Sequence, residues 1–256
     1  MKHLLKLEGM PRRAMEEILA SAEAVKAKRG GGETKPLDGQ TWAMVFTKSS
    51  TRTRVSFEVG IRELGGAVMF LNANDLQLGR GEPIKDTARV LGRMVHGAVI
   101  RTYAQADVEE FAEYSGIPTI NALTDDEHPC QILTDIFTFQ ERRGPIRGKV
   151  VTYIGDGACN VPVSWVHAAA ALDFELRIAA PAEFQPSAET LAKAGGHIVC
   201  TEDVRSAVEG ADMVYTDVWV SMGMEAEAEA RLAKLAGYQI NGGLMRLAKP
   251  DALVMH

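Results

Sequence analysis

Short apolar runs alternate with helix-length amphipathic segments along nearly the whole chain, and this rhythm limits the fold more than any other feature. A short apolar run suits a buried strand. A helical segment after each run gives the chain the length to cross over and lay the next strand parallel to the last. Pro11 opens a helix in which Met15, Ile18, Leu19, Ala22 and Val25 share one face. The stretch Lys28–Pro36, with three consecutive glycines, reads as a loop. Strands are expected at Thr41–Phe46, Ala67–Leu71, Ala98–Arg101 and Pro118–Asn121. Between and after them come helices near Arg52–Leu64 (closed by Gly65 and Gly66), Ile84–Val95, Val108–Tyr114 and Pro129–Glu141.

The segment Arg142–Lys149, RRGPIRGK, breaks the rhythm with Gly, Pro and four basic residues, and a domain boundary is expected there. Strands at Val150–Ile154, Leu176–Ala180, His197–Cys200 and Met213–Thr216 then alternate with helices at Val161–Leu172, Ser187–Ala194, Val204–Glu209 and Glu225–Leu235. The run Ala252–His256 reads as a last strand. The expected class is α/β, with two domains (1–142 and 143–256), each a mostly parallel sheet flanked by helices.

At 256 residues the chain can bury a substantial core, and 46% apolar with 24% charged residues is ordinary globular composition. A net charge of −6 with interleaved signs argues against nucleic-acid or anionic-membrane partners. No signal peptide is read in MKHLLKLEGM, and no apolar run approaches a membrane span. Cys130, Cys159 and Cys200 are widely spaced, which signals neither a disulfide framework nor a zinc site. A cytoplasmic protein without metal or cofactor is expected.

Four segments carry chemistry. Thr47–Arg54, TKSSTRTR, lies between a predicted strand and a predicted helix, where free N–H groups and the helix dipole suit a phosphate. Ser50, Thr51 and Thr53 add hydroxyls, and Arg52 adds a planar cation. A plain Ser/Thr helix cap followed by a basic face accounts for the same residues. The glycines of a nucleotide-binding P-loop are missing. His128-Pro129-Cys130-Gln131 opens a helix after an acidic loop, and Arg101 ends a strand, where ligands sit in open parallel sheets. Alone, each also fits a structural histidine or an exposed strand-end arginine. Asp217-Val218-Trp219-Val220-Ser221-Met222-Gly223 follows another strand, and its carboxylate could hold an ammonium group, or merely cap a loop anchored by the Trp. Gly155-Asp156-Gly157-Ala158-Cys159-Asn160 lacks the third glycine of a dinucleotide fingerprint, and no acidic residue ends the next strand.

Together these segments resemble the aspartate and ornithine carbamoyltransferase family. FTKSSTRTRVSFEVG is similar to its STRTR signature, HPCQ to its HPxQ, and DVWVSMG to the ornithine-binding loop of its ornithine-specific members. GDGACN is similar to GDxxNN, with Cys159 in place of the first Asn, a change expected to loosen the turn. The resemblance implies that Ser50, Thr51, Arg52, Thr53, Arg101, His128 and Gln131 bind carbamoyl phosphate. Arg52, Arg101 and His128 act in catalysis, with His128 and Gln131 at the carbamoyl oxygen and nitrogen. It assigns Asn160, Asp217, Ser221 and Met222 to L-ornithine. The loop around Gln77 resembles one that reaches into a neighbouring subunit's site, which implies a homotrimer or a multiple of one. The implied reaction gives citrulline and phosphate.

The resemblance runs the length of the chain, but in the family the final strand is followed by an HCLP motif and a later arginine. His256 matches the His of that motif. The expectation is a chain lacking the cysteine that positions the amine, the arginine that contacts the carbamoyl group, and the last helix. Each missing charged contact is worth on the order of 1.5–3 kcal/mol. Two other readings remain: transfer to another amine, such as putrescine or a modified ornithine, and a non-catalytic subunit that binds only ligand or partner subunits.

Overall fold

The computed structural model describes residues 2–31, 34–72, 81–220 and 225–256. All strand pairs are parallel, as strands joined by crossover helices require, and they form two separate sheets. The chain divides into compact units Met1–Cys130 and Gln131–His256.

The first unit begins with α1 (Arg12–Ala27), followed by β1 (Thr41–Phe46), α2 (Thr51–Glu63), β2 (Ala67–Asn72), α3 (Ile84–Leu91), β3 (Gly97–Arg101), α4 (Gln105–Ser115) and β4 (Thr119–Leu123). Its sheet has the order β2-β1-β3-β4. Alternate residues of the central strands point to opposite faces. Ala43, Val45, Ala98 and Ile100 pack with Ala88, Leu91, Val108 and Phe111 of α3 and α4. Met44, Phe46 and Val99 face the other way and pack with Ile61 of α2. Both faces are therefore covered, which explains the near-continuous apolar reading of these strands. The N-terminal segment lies beside β4: the Leu4 N–H donates to the Thr119 carbonyl at 2.9 Å, and the Asn121 N–H donates to the Leu4 carbonyl at 2.7 Å.

Helix α5 (Pro129–Arg143) spans the division. The second unit continues with β5 (Val150–Ile154), α6 (Asn160–Leu172), β6 (Glu175–Ala179), α7 (Ala188–Ala194), β7 (Ile198–Thr201), α8 (Val204–Val208), β8 (Met213–Thr216), α9 (Ala228–Leu235), α10 (Gly242–Met245) and β9 (Leu253–Met255). Its sheet runs β7-β6-β5-β8-β9. One face buries Ile154, Ala179 and Val214 against Ala207 and Val208 of α8 and Leu244 of α10. On the other, Trp165 of α6 meets Tyr215 and Phe174 edge-on at 5.5 and 5.9 Å between centroids.

In each sheet the connections leave a central strand in opposite directions. The switch falls between β1 and β3 in the first and between β5 and β8 in the second. Loops at the C-terminal ends of such strand pairs diverge and leave a crevice, the usual place for a ligand in an open parallel sheet.

The expected α/β class stands, with three local differences. Helix α1 buries only Met15 and Leu19, while Val25 is 44% exposed, so its apolar face meets the unit over the first half alone. Helix α3 stops at Leu91 rather than Val95 because Gly92 closes on α4: a Cβ there would lie 2.1 Å from the Ser115 carbonyl oxygen. The next residues tighten into three-residue turns, with Arg93 N–H to Val90 O at 3.1 Å and Met94 N–H to Leu91 O at 2.9 Å. Helix α10, with two glycines at its start, had no periodic signal; Asn241 caps it by accepting the Leu244 N–H at 3.0 Å.

Candidate active site

The register of the first sheet pairs Phe46 with Arg101, so the loop after β1 and the end of β3 begin side by side. The loop is drawn further onto β3 by Thr47, whose N–H donates to the Arg101 carbonyl at 2.8 Å and whose Oγ1 lies 3.0 Å from that of Thr102. Ser50, itself still extended, then caps α2 by accepting the Thr53 N–H at 3.2 Å. Its hydroxyl also donates to Thr53 Oγ1 at 3.0 Å, and the same oxygen accepts from Arg101 Nη1 at 3.4 Å. Thr51 and Arg52, the first helical residues, are exposed. This is a helix N-terminus ringed by hydroxyls, with Arg101 entering from the adjacent strand.

The charges favour an anion. Arg101 is 5% exposed, and burial followed by repulsion from Arg52 lowers its hold on its proton, although a guanidinium stays charged at neutral pH. Two guanidiniums near enough to repel are stabilised together by a ligand that brings negative charge. His128 follows the loop after β4 and feels the same field: burial, then the charge of Arg101, holds its imidazole down to about 3. At neutral pH it is uncharged, so one ring nitrogen donates and the other accepts. A neutral imidazole beside the Arg101 cation can donate to a carbonyl oxygen as negative charge grows there.

Two residues that the sequence reading passed over reinforce this corner. Lys48 is 6% exposed, forms an ion pair with Asp125 and sits 4.4 Å from the Tyr103 ring centroid. Glu127, 4% exposed, accepts the Leu7 N–H at 2.6 Å and the Glu8 N–H at 3.1 Å, pinning the N-terminal segment beside His128. Cys130 bonds to the Asn121 carbonyl at 3.3 Å, and burial pushes its thiol up to about 12, which makes it a packing group rather than a nucleophile.

In the second unit Ile154 pairs with Thr216, so the loops after β5 and β8 leave the sheet together. Gly155 takes φ 130°, a conformation that a side chain would strain. Asp156 receives the Ala158 N–H at 3.0 Å and forms an ion pair with Arg231 of α9. Both partners are buried, at 4% and 7% exposure. Arg231 also donates from Nε to the Trp219 carbonyl at 2.8 Å and covers Phe184 at 4.8 Å, so one guanidinium ties both loops. Cys159 bonds to the Asp156 carbonyl at 3.3 Å, which closes the turn that the missing Asn was expected to loosen. Asn160 opens α6, its carbonyl accepting from the Ser164 hydroxyl at 2.8 Å. Asp217 lines a cavity of about 430 Å³ with Trp219, Leu232, Tyr238 and Ile240 among its walls. Its charge reaches the thiol of Cys159, adjacent to Asn160.

Gln131, in the first turn of α5, donates from Nε2 to Asp135 at 3.0 and 3.1 Å. Gln77, Ser221 and Met222 lie outside the described residues. Among the described residues no group of three or more His, Cys, Asp or Glu is arranged to hold a metal ion, and no helix is long and apolar enough to cross a membrane.

Comparison with known proteins fits both crevices. Residues 2–141 match the family model described as aspartate/ornithine carbamoyltransferase, carbamoyl-P binding domain, and residues 147–256 match the Asp/Orn binding domain. The ornithine carbamoyltransferase of Akkermansia muciniphila is 52% identical, the alignment covering 100% of this chain and 85% of that protein. The anabolic enzyme of Pseudomonas aeruginosa is 47% identical, over 100% and 84%. The solved ornithine carbamoyltransferase of Pyrococcus furiosus superposes with a TM-score of 0.92 at 43% identity, over 100% of this chain and 84% of that one. With two domain models in sequence and relatives alike over its full length, the chain belongs to the aspartate/ornithine carbamoyltransferase family.

Proposed function

We infer that the chain moves the carbamoyl group of carbamoyl phosphate to the δ-amine of L-ornithine, giving L-citrulline and phosphate. The observation that carries this reading is the corner where Arg52 and Arg101, held close enough to repel, meet the capped N-terminus of α2 and a neutral His128. A phosphate there would take backbone N–H groups and the hydroxyls of Ser50, Thr51 and Thr53, with the two guanidiniums neutralising its charge. The carbamoyl oxygen would accept from His128, and the carbamoyl nitrogen would donate to Gln131.

Ornithine would be held by Asn160 and Asp217, with Ser221 and Met222 completing its loop. Its δ-nitrogen must be neutral to attack. The C–N bond forms as the bond from the carbonyl carbon to the phosphate oxygen breaks. The proton shed by nitrogen leaves with the phosphate. Arg52, Arg101 and His128 would stabilise the charge that builds on the carbonyl and phosphate oxygens. Every step draws on the substrates and on this chain's own groups, with no cofactor. Residues 1–142 would serve carbamoyl phosphate and 143–256 ornithine. A homotrimer, or a multiple of one, with Gln77 reaching into a neighbour's site completes the reading. A cytoplasmic setting is supported by Cys130, Cys159 and Cys200 being too widely spaced in the sequence to signal a disulfide framework.

Citrulline formation by the purified chain from carbamoyl phosphate and ornithine, with putrescine and aspartate as parallel acceptors, tests the reading. Ornithine-specific product is expected, with a rate rising through the alkaline range as the amine loses its proton. Product from putrescine alone, or a rate that falls from neutral pH upward, would overturn it.

A further inference from the structure

A side-chain amide has two opposite ends of similar size, and what faces each end decides which one a ligand meets. Gln131 presents its Nε2 end to Asp135, one helical turn further along α5, at 3.0 Å from Oδ1 and 3.1 Å from Oδ2. An ionised carboxylate can only accept, so it selects the NH2 end and turns the carbonyl end of Gln131 away from itself. Asp135 is 5% exposed and is gripped from the sheet as well: the Tyr215 hydroxyl donates to Oδ2 at 2.7 Å. Tyr215 is 2% exposed on β8, stacked on Tyr153 at 6.0 Å and edge-on to Trp165 at 5.5 Å, so its hydroxyl has little freedom. Amide, carboxylate and phenol form a relay in which both donors face the buried Asp135 carboxylate.

We propose that Asp135 is a positioning residue that locks the Gln131 amide with its oxygen outward, so that the chain selects a carbamoyl NH2 over a carboxylate in the same place. The inference rests on the reading above, in which Gln131 faces the carbamoyl nitrogen. An NH2 group donates and is met by Oε1; a carboxylate only accepts and would meet a second acceptor. The selection extends to any phosphorylated or phosphonylated ligand whose far end is either an amide or an acid.

The state of Asp135 has a pH signature. Burial, partly offset by the bonds from Tyr215 and Gln131 and reinforced by the charge of Asp217, holds its carboxyl up to about 6. Once protonated, the carboxyl can donate, and the amide of Gln131 is free to turn over. Tyr215 from β8, Gln131 from α5 and Asp217 just beyond β8 are the groups that act on it.

Calorimetry with phosphonoacetamide and phosphonoacetate tests the proposal. These analogues carry a methylene in place of the bridging oxygen and differ only in amide against acid. Inorganic phosphate serves as a third ligand that reports the phosphate cradle alone. On the full chain at pH 7.5, Asp135→Asn should lower the amide-over-acid preference by about tenfold, the worth of one charge-assisted hydrogen bond, while phosphate affinity stays within about twofold. Gln131→Ala should lower the preference as far, and adding Asp135→Asn to it should change nothing more. An unchanged preference in Asp135→Asn beside a collapsed one in Gln131→Ala overturns the proposal and leaves the reading of Gln131 standing. A further drop in the double variant overturns it too. An unchanged preference in Gln131→Ala removes the reading of Gln131 itself, and the lock with it.

Tyr215→Phe provides an independent test. It keeps the carboxylate but removes a donor that stabilises the ionised form, so the pH below which amide affinity falls should move upward. A loss of packing alone would weaken binding at every pH and leave that limb in place, which would count against the lock.

Discussion

The two units position ligand-facing groups in different ways. At the end of β1, Thr51 and Arg52 stand exposed on the first turn of α2, set by a helix cap and hydroxyl contacts of 3.0 to 3.4 Å. At the ends of β5 and β8 the loops are set from behind, by the buried ion pair between Asp156 and Arg231, whose Nε also holds the Trp219 carbonyl. Backbone geometry can hold a phosphate because N–H groups at a helix start converge without help. An amino-acid ligand offers an ammonium, a carboxylate and an aliphatic stem, and no single backbone motif meets all three. The second unit therefore relies on side chains fixed by other side chains. Changes at the phosphate corner should remove function and spare the fold, whereas changes behind the second crevice should strike the fold.

The largest effect separates these cases. Arg231→Met leaves the Asp156 carboxylate buried without its cation and should lower stability by about 3–5 kcal/mol in urea unfolding. Asp156→Asn in the same chain should recover part of that. Arg52→Met removes an exposed cation, so unfolding should stay within about 0.5 kcal/mol of the parent while citrulline formation falls about 10²- to 10³-fold. If Arg231→Met unfolds like the parent chain, the second crevice is not held by its buried pair and the contrast fails.

A smaller effect lies within the first unit, at two adjacent residues of opposite sign. Glu127 is held up to about 7 by burial, against the bonds from Leu7 and Glu8. Its folded value lies above the unfolded 4.5, so its contribution is complete below about 4.5 and is lost as pH rises through about 7. His128 is held down to about 3, so its contribution is complete above the unfolded 6.5 and is lost as pH falls toward 3. Between about 4.5 and 6.5 the two slopes oppose each other. Glu127→Gln removes this residue's share of the falling slope, so the stability of the variant relative to the parent should rise from about pH 4.5 to about 7 and then level. The difference from the parent across the Glu127 window should be about 3 kcal/mol. Urea midpoints from pH 4.5 to 8 measure it, and parallel curves for the two proteins would show that Glu127 is not the group responsible.

Local rules reached most of the fold. Apolar runs and helix signals placed nearly every element within a few residues, because strands buried on both faces and capped helices leave marks in neighbouring residues. Ser50, Arg52 and Arg101 were legible as strand-end or helix-start residues, since loops after parallel strands face the ligand side in any such sheet. The groups behind them were not. Arg231 meets Asp156 from 75 residues away, and Tyr215 meets Asp135 from 80. In a bare sequence Arg231 and Asp135 read as ordinary charges on helices, and only the strand order brings their partners to them. Glu127 was hidden for the same reason, since its partners are backbone N–H groups of Leu7 and Glu8.

The smallest effect gives the comparison its sharpest form, because the two units repeat one local motif. Ser50 caps α2 by accepting the Thr53 N–H at 3.2 Å, with the two hydroxyls 3.0 Å apart. Ser187 caps α7 by accepting the Thr190 N–H at 3.1 Å, with hydroxyls 2.9 Å apart. Each serine to alanine change removes one cap bond and should cost about 1 kcal/mol. Glycine at either position should cost only a few tenths of that unit. The caps differ in what the threonine hydroxyl touches next: Thr53 also accepts from Arg101, whereas Ser187 and Thr190 lie on an exposed helix end. Ser187→Ala should therefore shift the urea midpoint and leave carbamoyl phosphate affinity unaltered. Ser50→Ala should shift the midpoint by a similar amount and also weaken carbamoyl phosphate binding, because Thr53, whose hydroxyl also accepts from Arg101, loses the serine that holds it. Equal losses of affinity in the two variants would mean that the phosphate corner depends on global stability rather than on its own cap.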